Sequence, residues 1–146
     1  MKIKSAVKIA CFLLLLASAG LQSCKSKSNL LVGTWRIESL KYEEELPAEM
    51  QTAVNTWVQS MEENYSITYR ADGTFTATSA GQSTEGKWHL NWNNTQISNT
   101  GPDGKERNFE IVELNPGKFV FKVTEEAQSA EGKKSQVVIF AMVPKK

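Results

Sequence analysis

From residue 31 onward the chain is a succession of short runs rich in Val, Ile, Thr, Phe, Tyr and Trp, each stopped by Gly, Asn, Asp or Pro. Within the runs the apolar period is two, so apolar and polar side chains fall on opposite faces of a strand. Trp88, Leu90 and Trp92 alternate with Lys87, His89 and Asn91; Phe119, Phe121 and Val123 alternate with Val120, Lys122 and Thr124. The pattern predicts strands over 31–42, 65–71, 74–79, 85–92, 95–100, 107–114, 118–124 and 135–143. Asp72-Gly73, Asn93-Asn94, Gly101-Pro102-Asp103-Gly104 and Asn115-Pro116-Gly117 supply turns between them. Eight strands at short, regular spacing predict an all-β antiparallel barrel or sandwich.

One segment keeps a different period. Over Pro47 to Asn64 the apolar residues Met50, Ala53, Val54, Trp57, Val58 and Met61 fall on one stripe of a helix. Pro47 suits a first turn and Glu49 complements the positive helix start, whereas Glu62 and Glu63 near the end do not complement the negative one. The helix is expected to plug one end of a barrel as core. The other reading is a movable lid over a cavity, with Met50, Trp57 and Met61 as an adaptable apolar lining.

Residues 1–23 read as an address. Lys2, Lys4 and Lys8 precede an unbroken apolar run from Ile9 to Ala17, too short to span a membrane and suited to a secretory signal peptide. The following Leu21-Gln22-Ser23-Cys24 resembles the lipobox of bacterial lipoproteins, with Gln22 as in those of Bacteroidetes-type bacteria. That resemblance implies acylation of Cys24, palmitate included, and Cys24 as the mature N-terminus. It also implies a cell-envelope protein. No Asp stands beside Cys24, which implies the outer membrane, and no acidic cluster follows it, which implies the periplasmic face. Lys25-Ser26-Lys27-Ser28-Asn29 is polar, so 24–30 is expected to be a flexible tether and 31–146 the folded domain. Of the two cysteines, Cys11 lies in the leader and Cys24 takes lipid, which leaves the domain no disulfide.

Charge excludes one class of partner. Lys and Arg number 17 and Asp and Glu 16, without the basic excess of a nucleic-acid binder. Removing the leader and its three lysines leaves a slightly acidic remainder, so membrane attachment falls to the lipid.

Gly33-Thr34-Trp35 at the head of the first strand is similar to the Gly-x-Trp signature of lipocalins. Asp72-Gly73-Thr74-Phe75 and Gly86-Lys87-Trp88 resemble small lipocalin-like lipoprotein domains of the Bacteroidetes type. The resemblance covers roughly residues 31–143. It implies an up-and-down eight-stranded lipocalin-like barrel, the helix between the first and second strands capping one end, and Trp35 closing the base. A Thr-Asp-Tyr-like second motif and an Arg after the last strand have no counterpart; Lys145 and Lys146 stand there. Eight strands enclose room for side chains or for one small ligand. Trp35, Trp88, Trp92, Phe75, Phe109, Phe119, Phe121 and Phe140 are bulky enough to fill much of it, which predicts a shallow pocket near one mouth.

Catalytic groups are sparse. His89 is the one histidine and faces away from Trp88, leaving no zinc set and no base for a Ser-His-Asp triad. Asp72 and Asp103 sit in turns, and the runs Glu43–Glu45, Glu62-Glu63 and Glu125-Glu126 read as solvated charge. No enzyme activity, metal or cofactor is expected. Two functions remain: a membrane-anchored module binding a small apolar ligand at the barrel mouth, with Trp35, Trp57, Tyr69 and Trp88 as candidate contacts, or a non-enzymatic envelope scaffold or protein-interaction module with a filled barrel.

Overall fold

The computed structural model describes residues 26–129 and 132–146; the leader and Cys24 lie outside the described residues. Helix α1, Lys27–Leu31, comes first, then strand β1, Gly33–Tyr42. Helix α2, Ala48–Asn64, leads into β2, Tyr65–Tyr69, and β3, Thr74–Ser79. The strands β4, Gln82–Leu90, β5, Gln96–Thr100, β6, Glu106–Asn115, β7, Lys118–Ser129, and β8, Gly132–Pro144, complete the chain. Each strand pairs antiparallel with the next, and β8 pairs back onto β1 from Trp35↔Pro144 to Tyr42↔Val138, closing an up-and-down barrel. The eight strands and the placement of the long helix agree with the expectation.

Up-and-down order gives the barrel two distinct ends. At the base, where β1 begins, lie the β2–β3, β4–β5 and β6–β7 links and the end of β8. At the mouth, where β1 ends, lie α2 and the other links.

The base is closed by α1, and here the tether expected over 24–30 is corrected for the described part of it. From Lys27 the chain is helical, with the Ser26 side chain accepting the Asn29 N–H at the cap. The cause is Leu31: it is fully buried in the core, and its carbonyl accepts the Trp35 Nε1–H at 2.8 Å. Lys27 Nζ donates to the Asn94 carbonyl at 3.0 Å, tying α1 to the β4–β5 link. Gly33 then turns the chain into β1 at φ +146, a conformation that L side chains rarely adopt. The glycine and the tryptophan of Gly33-Thr34-Trp35 therefore serve one construction, the turn out of α1 and the bond back to it.

The core gathers Leu31, Trp35, Ile37, Ile67, Tyr69, Phe75, Trp88, Ile97, Phe119 and Met142. Phe75 packs so closely against β4 that a Cβ at Gly86 would collide with its ring and with the Thr100 carbonyl. Two further expectations are corrected. The strand expected over 85–92 starts earlier, at Gln82, after a tight turn at Ala80-Gly81 with positive φ at both residues, and stops at Leu90. Trp92 consequently falls in the β4–β5 link, 93% exposed, rather than in the interior. Nor is α2 a core plug: none of its described side chains is buried, and Met50 and Trp57 are exposed. Among the described residues no helix is long and apolar enough to cross a membrane.

Candidate functional site

Between α2 and the base the barrel encloses a cavity of about 460 Å³. Pockets that hold small ligands span about 300–1,000 Å³. The space is deeper than the expected shallow mouth pocket, since it reaches Ile37, Ile67 and Met142. The reason lies in how the phenylalanines divide. Phe75 and Phe119 are buried in the core, whereas Phe109, Phe121 and Phe140 only pack against it and face the open space.

These rings form a continuous wall. Trp35 meets Phe119 edge-on at 5.8 Å, and Phe119 lies 5.0 Å from Phe121. Phe121 in turn stacks on Phe140 at 5.0 Å and 6°, and meets Phe109 edge-on at 5.4 Å. Interlocked rings of this kind keep a wall in place without filling the space beside it. The alternation of β7 aims Phe119, Phe121, Val123 and Glu125 at this side, apolar in the depth and polar at the mouth. From above, α2 contributes Trp57 and Met61. Trp57 is 45% exposed, so it covers the cavity from the solvent side.

Several polar groups interrupt the apolar lining, Asn108, Thr124 and Glu125 among them, and two arrangements stand out. Asn99 on β5 donates from Nδ2 to the Tyr69 hydroxyl at 3.0 Å, both residues being buried. The Asn99 Oδ1 is buried without a partner, which costs about 1–3 kcal/mol in a folded protein. Burial pushes the Tyr69 hydroxyl far above the usual phenol range, so it stays neutral. At the mouth, Arg107 also lines the cavity, but its guanidinium is engaged by Asp103 at 2.9 Å. The hydrogen bond from Arg107, with the Lys105 N–H, holds the Asp103 carboxyl below the usual carboxylate range.

Of the four residues singled out from the sequence, the structure places Trp57 and Tyr69 on the cavity. Trp35 and Trp88 sit behind it in the core: Trp88 donates to the Arg70 carbonyl at 3.0 Å and backs Tyr69 edge-on at 5.4 Å. Asn99 was missed, although a signal was present. In Gln96-Ile97-Ser98-Asn99 the asparagine shares a face with Ile97, so a polar side chain stands on the inward side of a barrel strand. His89 is exposed, and the described residues contain no group of three His, Cys, Asp or Glu that could hold a metal ion.

A closed eight-stranded up-and-down barrel with an apolar interior cavity under a helix is the architecture of a lipocalin-like domain. The family model of the lipocalin-like domain matches residues 31–121, and the chain belongs to that family. Among solved structures it is similar to a DUF4847 family protein from Bacteroides vulgatus, at 14% identity and a TM-score of 0.49, over 78% of this chain and 95% of that one. Comparison with curated proteins gave no match.

Proposed function

We propose that the protein is an envelope lipoprotein, anchored through acyl chains on Cys24 at the periplasmic face of the outer membrane, whose barrel binds a small, mostly apolar ligand rather than catalysing a reaction. The observation that carries the binding role is the cavity of about 460 Å³, walled by phenylalanines and covered by the half-exposed Trp57. A barrel serving only as a scaffold has no need of that space, and a close-packed interior would be more stable without it.

The lining also selects the ligand's polar end. The unpartnered Asn99 Oδ1 asks for a hydrogen-bond donor, as a hydroxyl or an amide offers and a carboxylate does not. The ligand is therefore a neutral amphiphile of the fatty-alcohol or monoacylglycerol kind. Saturable quenching of tryptophan fluorescence by a long-chain alcohol at micromolar concentration tests this. The matching carboxylate should bind roughly 5- to 150-fold more weakly, as a buried acceptor left unpaired costs about 1–3 kcal/mol. Absence of any saturable response would favour the scaffold reading. Labelling with palmitate that persists in a Cys24→Ala variant would remove the lipoprotein reading.

A further inference from the structure

The base of the barrel carries a second surface, with a charge and shape of its own. The near-neutral composition conceals how charge is sorted along the barrel axis. Lys27, Arg70, Lys118, Lys145 and Lys146 cluster around the base, against Asp72 and Glu113. The mouth end carries Glu43 to Glu45, Glu62, Glu63, Glu106, Glu125 and Glu126, offset only in part by Lys41, Lys105, Lys133, Lys134 and Lys122, whose Nζ meets Glu43 at 3.5 Å, with Arg107 engaged by Asp103.

Within the basic end stands Trp92, 93% exposed. The link that bears it is firmly built. Asn91 Oδ1 accepts the N–H groups of Thr95 and Gln96 at 2.9 and 3.1 Å, and Asn93 Oδ1 accepts the Thr95 hydroxyl at 2.7 Å. Asn94 takes the left-handed conformation, φ +56, that asparagine tolerates, and its carbonyl holds Lys27 Nζ. The amides of this loop thus satisfy one another and leave the indole outward.

The position of the chain start gives this surface its partner. Lys27 is bonded to the same loop and stands only three residue steps after Cys24. Three residues reach at most about 11 Å. An acyl chain on Cys24 is therefore held within that distance of the Lys27 backbone, whose side chain is bonded to the loop that bears Trp92, and this brings the base towards the membrane surface. Indole rings favour the head-group layer, and lysines favour an anionic one.

We propose that the base is a membrane-docking surface: Trp92 seats among the head groups of the membrane that holds the Cys24 acyl chains, the surrounding lysines meet anionic phospholipid, and the acidic mouth under α2 faces away. This rests on the lipoprotein reading of Cys24.

The test uses the lipidated protein reconstituted in phosphatidylethanolamine and phosphatidylglycerol vesicles with brominated acyl chains, which quench nearby indoles. Quenching is expected in the wild type and in Trp57→Phe, and at least a twofold loss of it in Trp92→Phe. Lys145→Glu with Lys146→Glu should weaken it further towards the neutral-lipid level. Quenching unchanged in Trp92→Phe but abolished in Trp57→Phe would put the mouth, not the base, on the membrane and overturn the proposal. Mass spectrometry of the same sample separates the two readings. An unacylated Cys24 overturns both, whereas an acylated Cys24 without Trp92 quenching overturns the docking surface alone.

Discussion

The Tyr69–Asn99 pair yields a prediction in which removing two polar groups is cheaper than removing one. The Asn99 Nδ2 to Tyr69 hydroxyl bond of 3.0 Å lies in the wall of an apolar cavity, with both residues at most 6% exposed. Tyr69→Phe strips the Asn99 amide of its one partner, with Oδ1 already unpaired, and should cost about 1–3 kcal/mol. Asn99→Leu leaves the Tyr69 hydroxyl unpaired but also removes the orphaned Oδ1, so its net cost should be smaller, on the order of 1 kcal/mol or less. The double variant exchanges a half-satisfied polar pair for an apolar wall and should return close to wild-type stability or exceed it. The coupling energy in this double-mutant cycle should therefore exceed about 1 kcal/mol. Urea unfolding followed by far-ultraviolet circular dichroism measures all four corners without relying on the tryptophans near the site. Because burial keeps the Tyr69 phenol neutral, the result should be unchanged between neutral and mildly alkaline pH. Single costs that add to within about 0.5 kcal/mol would refute the reasoning, since independent sites behave that way. The double variant should also lose the preference for an alcohol over a carboxylate.

Other perturbations probe other parts of the fold. Trp35→Ala should lower stability by about 3–5 kcal/mol, as expected for a buried Trp, while Trp35→Phe should lose only the bond to the Leu31 carbonyl, about 1–2 kcal/mol; equal costs in urea unfolding would deny α1 its role at the base. Gly86→Ala drives a methyl into Phe75 and the Thr100 carbonyl and should cost about 3 kcal/mol, read as a fall in Tm, whereas an unaltered Tm would contradict the close approach of β4 to Phe75. Trp57→Phe, at a half-exposed site, should leave Tm nearly unchanged yet diminish the fluorescence response to ligand. Asp103 is held below its ordinary value when folded, so the contact with Arg107 contributes above the unfolded carboxylate range and is lost as pH falls through the folded value; Asp103→Asn should flatten the acid side of the stability profile, and an identical profile would contradict the pairing.

Much of the fold was legible because alternation is a local property. Phe119, Phe121 and Val123 declare a strand whichever neighbours they meet, and the stripe from Met50 to Met61 declares a helix. Three things were hidden. Bulges between Ile37 and Ser39 and between Ile111 and Glu113 shift the inward parity of β1 and β6, so Leu40 and Leu114 turn towards the core where simple alternation places them outside. Trp92 continues the alternation of Trp88 and Leu90 in sequence, yet the amides of Asn91 and Asn93 end the strand before it. The cavity was illegible for a different reason. Bulk predicts how much aromatic side chain a barrel contains, but the space left depends on whether the rings stack on one another or spread, and Phe121 on Phe140 at 6° is a tertiary outcome. The same holds for α2, whose stripe announces an apolar contact without saying that the contact is the edge of an open space.

Closure of the barrel through β1 and β8 sets the order in which the chain can fold. The pairs Trp35↔Pro144 and Tyr42↔Val138 join positions about a hundred residues apart, so the first strand has no second neighbour until the last one has formed. Nearest-neighbour hairpins such as β3–β4, with its two-residue turn, can appear early, but the ring is completed by the contact of greatest sequence separation. Up to that moment β1 is an edge strand, and Trp35 and Ile37 have no lid of β8 over them. A chain delivered amino-terminus first in an extended state therefore cannot lock prematurely: its barrel stays open until β8 arrives.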